Sequence, residues 1–273
     1  MTAPAGSPPK FPLRLDRLGG MKEAPTVPRA LLRPQAPLQH AAADAARRVV
    51  PSGVGLDSAE VRARMVARLR AGGLRDEKVI AALAAVARHL FVDSALVNQA
   101  YEDTSLPIGH GQTISKPSVV ARMIELLAQG QSARDTGTLG RVLEIGSGCG
   151  YQAAVLARLA RQVLSIERVR PLHDKARAHL ALVRETRVRL LFADGMLGHG
   201  GGAPYDSIVA AAGGDALPQA WLDQLAPGGR LVAPVRTHGQ QQTLVVVDRT
   251  EHGFQRSVHE TVHFVPLMAG LDR

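Results

Sequence analysis

Three acidic residues close apolar runs at similar intervals: Glu144 in V-L-E-I-G-S-G-C-G, Glu167 in V-L-S-I-E and Asp194 in L-L-F-A-D-G. The first run breaks into Gly146, Gly148 and Gly150, and a helical pattern starts at Tyr151. Such a junction lets the backbone approach a nucleotide-like ligand where a side chain would collide. Glu144, two residues before the first glycine, asks for a cationic or hydroxyl-bearing partner. Glu167 follows it by 23 residues, a distance that suits hydrogen bonds to ribose hydroxyls. Asp194 can accept from an adenine amino group, and Gly195 keeps the path to it open. A further glycine turn, Gly213–Gly214, ends a fourth run.

A dinucleotide is the competing ligand, but its fingerprint is G-x-G-x-x-G with a pyrophosphate on the helix N-terminus. This chain has G-x-G-x-G, and Glu144 would repel the phosphates. The acids favour S-adenosylmethionine, which carries an amino group and a sulfonium and has no phosphate. Singly, each acid also reads as a charge at a helix N-terminus or a solvated loop residue. The glycine turn alone also reads as a tight strand–helix connection.

The elements that must position these residues alternate. Val142–Ile145, Val163–Ile166, Val188–Phe192, Ser207–Ala211 and Arg230–Val235 read as strands. Tyr151–Leu159, Pro171–Val183 and Pro218–Leu225 read as helices between them. The alternation predicts an α/β fold, a doubly wound and mostly parallel sheet. Ligands of such sheets sit beyond the carboxyl ends of the strands, where the strand order reverses. Thr243–Val247 and Val258–Leu267 are expected to complete one edge, partly antiparallel.

Two N-terminal helices precede the sheet, one capped near Asp57–Ser58 and stopped by Gly72–Gly73, the other opened by Asp76. A loop from Leu106 to Pro117 leads to a helix expected to be capped by Ser118 and to end at Gly130. Residues 1–57 hold prolines at 4, 8, 9, 12, 25, 28, 34, 37 and 51 and read as a disordered tail before a folded domain of residues 58–273. The tail lacks a secretory core and the amphipathic repeat of a transit peptide.

The chain of 273 residues is 45% hydrophobic but only 3% aromatic, so its core relies on Ala, Val and Leu. That scarcity argues against a base-stacking platform for nucleic acid. The formal charge of +9 divides into +4 from residues 1–57 and +5 from the rest, with no dense basic block. Cys149 is the one cysteine, which excludes an intrachain disulfide and suits a reducing, cytoplasmic setting. No apolar run has the length of a membrane span. The histidines show no ligand-type cluster, and no metal is expected.

L-P-I-G-H-G-Q-T-I-S-K-P-S-V-V-A-R-M-I-E-L-L, Leu106 to Leu127, closely resembles the signature loop and helix of bacterial protein-L-isoaspartate O-methyltransferases. The resemblance continues through R-V-L-E-I-G-S-G-C-G-Y, S-I-E-R, A-D-G, P-Y-D-S-I-V, P-G-G-R-L-V-A-P-V and H-F-V-P-L, over roughly residues 58–270. It implies a Rossmann-like, S-adenosylmethionine-dependent repair enzyme, expected to be monomeric. Its partners would be isoaspartyl-containing proteins and peptides, with no nucleic acid and no membrane. Such enzymes methylate the free α-carboxylate of L-isoaspartyl residues, and the ester then cyclises unaided to a succinimide.

By the same resemblance Ser115 is the active-site serine, and Thr113 and Ile114 line the pocket. Gly146, Ser147 and Gly148 form the turn against the cofactor, and Glu144 faces its methionine moiety or sugar. Glu167 meets the ribose, and Asp194 and Gly195 the adenine. The chemistry of Ser115 fits: a carboxylate is already an anion, and a hydroxyl can donate to it without taking its charge.

There are departures. Val119 and Val120 stand where eukaryotic members have a histidine that contacts cofactor. Ala212–Gly213–Gly214–Asp215 replaces a more usual A-A-P-P-type turn and is expected to be looser. Lys116 adds a charge beside the loop, either solvated or attracting a carboxylate, and Cys149 reads as turn packing. Two rival functions remain on the residues alone: a methyltransferase of another substrate such as RNA, and a cofactor-binding regulator without catalysis. The region after the fourth strand, A-A-A-G-G-D, lacks the N/D-P-P-Y/F motif common in nucleobase methyltransferases.

Overall fold

In the computed structural model the residues described are 59–238 and 241–272. The expected tail, residues 1–57, lies outside them. Seven strands form one sheet in the order β5-β4-β3-β6-β7-β8-β9. They are β3 (Arg141–Ile145), β4 (Gln162–Glu167), β5 (Val188–Phe192), β6 (Tyr205–Ala210), β7 (Leu225–His238), β8 (Gln241–Thr250) and β9 (Gly253–Val262). The first five are parallel, and β8 and β9 are antiparallel. The order reverses at β3, which pairs with β4 on one side and β6 on the other.

Alternation along the strands divides the core. Val142, Val163, Val209 and Val232 face one layer, with helices α1 (Ala59–Ala71), α2 (Glu77–Ala85), α3 (Pro117–Ala128) and α5 (Tyr151–Ala157) contributing to it. Leu143, Ile145, Leu164, Ile166, Ile208 and Leu231 face the other, with Trp221 of α7 (Gln219–Gln224). A short helix, α4 (Gln131–Thr136), and the longer α6 (Arg170–Leu182) complete the helices. No helix among the described residues is long and apolar enough to cross a membrane.

Four expectations need correction. The Leu106–Pro117 stretch contains a two-stranded hairpin, β1 (Leu106–Gly109) and β2 (Gln112–Ile114). Leu106, Ile108 and Ile114 turn inward, and Gly109, His110 and Gly111 turn the chain with positive φ. Ser118 is not the cap of α3: Pro117 takes the first helical position after Lys116, and the Ser118 N–H donates to Asp103 Oδ1 at 2.8 Å. An acid from the preceding loop thus does the work of a cap.

The last strand stops at Val262, five residues before the expected end. From there the chain leaves the sheet edge and crosses the strand ends. Gly213 N–H donates to Val265 O and Leu267 N–H to Gly213 O, both at 2.9 Å. Further on, Asp272 N–H donates to Arg168 O at 2.9 Å and Arg170 N–H to Asp272 O at 2.8 Å. The Gly213–Gly214 turn, expected to be loose, is therefore pinned by this strap.

Candidate active site

The carboxyl ends of β3, β4, β5 and β6 surround a cavity that encloses about 880 Å³ counted to its open mouth. The hairpin closes one side and the strap, through Val265 to Met268, the other. Thr113, Ile114, Ser115, Gly146, Ser147, Gly148, Glu167 and Gly195 all line it. Residues scattered over 80 positions of sequence thus meet at the topological switch point. Glu144 and Asp194 are not among its walls.

Gly146 and Gly148 sit at φ +89° and +54°, where an L side chain is strained. A Cβ on Gly148 would come within 3.2 Å of Ile108 Cδ1. Gly195 is fixed for a different reason: a Cβ there would meet Ile145 Cγ2 at 2.6 Å. The buried Trp221 indole N–H donates to its carbonyl at 2.8 Å, so the lone tryptophan of the chain holds a site glycine in place.

Glu167 is buried yet lines the cavity. Its two oxygens accept from Gly148 N–H at 2.8 Å and Val169 N–H at 2.9 Å. Burial pushes its carboxyl above the usual range, and these backbone donors oppose that. Each oxygen keeps a further lone pair for a ligand hydroxyl. Among the described lining residues Glu167 is the one carboxylate and Arg168 the one cation. Arg168 Nε already donates to Gly270 O of the strap at 2.9 Å.

Glu144 lies behind the wall. It is wholly buried and accepts from Ser165 Oγ, which shares a hydrogen bond with Ser147 Oγ. Among the described residues its other oxygen, Oε1, has no hydrogen-bond partner. Burial pushes its carboxyl up to about 8, with Ser165 and Gln152 opposing. Strand alternation explains the displacement: Leu143 and Ile145 point to the layer of Trp221, so Glu144 points to the other, against α5. Asp194 also turns away. Its Oδ1 accepts from Met196 N–H at 2.9 Å and its Oδ2 from Gly270 N–H at 2.7 Å, so it ties the strap to the end of β5.

Ser115 follows β2 directly and is half-buried. Among the described residues its hydroxyl makes no hydrogen bond, whereas its carbonyl accepts from Arg88 Nη2 at 2.7 Å. A second cleft, about 1780 Å³ counted the same way, opens on its far side. That cleft is walled by α1, α3 and the end of β9, with Arg68, Lys116, Arg122, Glu125, Glu260 and His263 among its polar residues. Ser115 is the residue common to both linings.

Of the departures, Val120 lines the cavity and Val119 the cleft. Lys116 stands 3.9 Å from Asp103. Cys149 is a buried free thiol that burial pushes up to about 11, as turn packing requires.

The sequence reading missed Arg88, Arg168, Tyr151, Gln152 and the strap. Tyr151 and Gln152 fall in the first turn of the expected helix Tyr151–Leu159, and both line the cavity. A lone arginine in the apolar run A-A-V-A-R-H-L-F-V was the available signal for Arg88.

The family model for protein-L-isoaspartate(D-aspartate) O-methyltransferase matches residues 60–272. The chain is 60% identical to the protein-L-isoaspartate O-methyltransferase of Methylibium petroleiphilum, with all of both chains covered. It is 61% identical to that of Leptothrix cholodnii over 87% of this chain and 84% of the relative. A solved protein-L-isoaspartate O-methyltransferase superposes with a TM-score of 0.68 at 26% identity, covering 77% of this chain and 67% of the other. A Plasmodium falciparum protein described as a putative member, solved with S-adenosyl-L-homocysteine, superposes at 0.63 and 23% identity over 76% and 98%, and shares the fold. With nearly all of its described residues matched and a relative 60% identical over its whole length, this chain belongs to the protein-L-isoaspartate(D-aspartate) O-methyltransferase family.

Proposed function

We propose that the chain transfers a methyl group from S-adenosylmethionine, held in the cavity, to the free α-carboxylate of an L-isoaspartyl residue presented through the cleft. The observation that carries this reading is that Ser115 lines both spaces. The cavity suits the donor: two positive-φ glycines offer close backbone approach, Glu167 offers acceptors for ribose hydroxyls, and the one lining cation is engaged by the strap. A phosphate would find no such welcome. The larger cleft suits a polypeptide.

When bound, S-adenosylmethionine supplies an electrophilic methyl on a sulfonium. The acceptor oxygen is already anionic, so the chain needs no strong base. Its work is orientation and exclusion of water. The Ser115 hydroxyl donates to one carboxylate oxygen and leaves the other facing the methyl. Thr113 and Ile114 hold Ser115 at the junction, and Ile108 and Val120 keep the wall apolar. Gly146 and Gly148 bring backbone against the donor, and Glu167 grips its sugar.

Two residues take different roles from those the resemblance implied. Glu144 holds the glycine turn through Ser165 and Ser147, and Asp194 fastens the strap beside the adenine end. The same reading makes residues 58–273 the catalytic domain of a monomeric cytoplasmic enzyme acting on damaged proteins. The test is incubation with labelled S-adenosylmethionine and two peptides that differ only in Asp or isoAsp. Base-labile label on the isoAsp peptide alone is expected, and equal labelling of both or of neither contradicts the reading.

A further inference from the structure

Arg88 is wholly buried, yet no carboxylate lies within ion-pair distance of it among the described residues. The contrast is with Arg230, which is less deeply buried yet makes a two-pronged pair to Asp248 at 2.6 and 2.8 Å. Arg88 Nε donates to Ala100 O and Nη2 to Ser115 O, each at 2.7 Å. The guanidinium carbon stands 4.7 Å over the Tyr151 ring, and among the described residues Nη1 makes no hydrogen bond within 3.5 Å. Neither buried neighbour balances the charge, and the one carboxylate that acts on it from a distance, Asp103, is exposed to solvent. Burial pushes the Cys149 thiol up to about 11 and the Tyr151 hydroxyl above its ordinary value, so both are neutral at pH 7.

Burying an unpaired guanidinium is costly, and an apolar residue of similar length packs as well or better. Desolvation does lower its affinity for a proton, but arginine starts so high that it stays charged. The molecule therefore carries a fixed positive charge directly behind Ser115 and Tyr151, both of which line the cavity. In a low-dielectric setting such a charge is felt by an anion arriving at the Ser115 hydroxyl.

We propose that Arg88 is a positioning residue for the methyl-accepting carboxylate: it clamps the Ser115 carbonyl and supplies, from behind the loop, the positive charge that the substrate's own carboxylate balances. This rests on the proposed function, which makes that carboxylate the group delivered to Ser115. Arg88 touches no substrate and acts through the Ser115 loop.

The experiment compares the inhibition constants of two peptides in the full-length protein, an isoAsp peptide and the same peptide with the α-carboxylate converted to the neutral carboxamide. Wild type should favour the carboxylate at least tenfold. Arg88→Met should bring the two constants within threefold, with S-adenosylhomocysteine affinity changed less than threefold and the thermal midpoint not lowered. Arg88→Gln, which keeps donors and removes charge, gives the same ratio and serves if Arg88→Met does not fold. Arg88→Lys should keep the preference while kcat falls at least tenfold, because a single ammonium cannot hold both carbonyls.

A merely structural role would weaken both peptides together. Retention of the wild-type preference in Arg88→Met or Arg88→Gln, or an unchanged kcat in Arg88→Lys, overturns the inference and leaves the proposed function standing. Absence of any preference in wild type overturns both.

Discussion

The cavity and the cleft that meet at Ser115 are built from different materials. The cavity is made of strand ends: glycines at positive φ, backbone N–H groups and one buried carboxylate with both oxygens anchored. The cleft is made of long side chains held by one another. Arg122 reaches Glu260 Oε1 at 2.7 Å and Glu125 Oε2 at 3.0 Å, and Glu125 Oε1 accepts from the Arg75 and Asp76 N–H groups at 2.8 and 3.1 Å. A small invariant ligand can be met by rigid backbone, whereas a polypeptide of varying sequence is better met by side chains that can re-pair. Substitutions in the two regions should therefore separate cleanly into donor affinity and acceptor KM.

The largest separation is expected from Glu167→Ala. It removes the proposed ribose acceptor and frees two backbone donors, so S-adenosylhomocysteine affinity should fall about 100-fold, or about 2.7 kcal/mol. Calorimetry measures it, and a change under threefold would break the assignment of the cavity to the donor. Ser115→Ala removes the one charge-assisted hydrogen bond that the proposed function places at the junction. Its kcat should fall about 10- to 100-fold, the worth of about 1.5–3 kcal/mol, with donor affinity unchanged. A loss in donor affinity instead would make Ser115 part of the cavity only.

Arg122→Met probes the cleft alone. KM for an isoaspartyl peptide should rise severalfold while donor affinity holds, and stability should drop by about 1–2 kcal/mol because Glu125 keeps a buried oxygen without its partner. Steady-state kinetics and thermal melts together test this, and an unchanged KM would remove Arg122 from the acceptor surface.

The smallest effect sharpens the contrast between two buried acids, Glu144 and Glu167. Glu144→Gln should change donor affinity less than about threefold, since it lies behind the wall rather than in it. Its signature is in pH. The folded state raises its carboxyl from 4.5 to about 8, so between those values the folded protein holds a proton that the unfolded chain releases. The group's contribution to stability thus falls as pH rises through that window. Denaturant melts from pH 5 to 8 should decline less in Glu144→Gln than in wild type. Parallel declines would show that the carboxyl ionises freely when folded.

The same contrast explains what could be read from the residues alone. Parallel-sheet alternation, the switch point and the glycine turn are written locally, in runs of β-branched residues and glycines at fixed spacing. Glu167 was legible as a strand-end acid for the same reason, and it lines the cavity. Glu144 and Asp194 were legible as strand-end acids but not as to direction: the pleat turns Glu144 towards α5, and the strap captures Asp194. Neither fact is local. The strap itself was read as the continuation of a strand, because V-H-F-V-P-L is as apolar as one, and only its pairing with Gly213 and Arg168 reveals the crossing. Arg88 was legible as an arginine in an apolar run, but its meaning depends on what it lacks. A lone arginine in sequence does not say that, among the described residues, no acid lies within ion-pair distance of it.

The most direct measurement is a crystal structure of the protein with S-adenosylhomocysteine and an isoaspartyl peptide bound together. The thioether is expected in the cavity between the Gly146–Gly148 turn and Glu167, and one α-carboxylate oxygen within about 3.2 Å of Ser115 Oγ. A peptide seated away from the cleft, or a carboxylate beyond reach of Ser115 with the thioether in place, would contradict this placement.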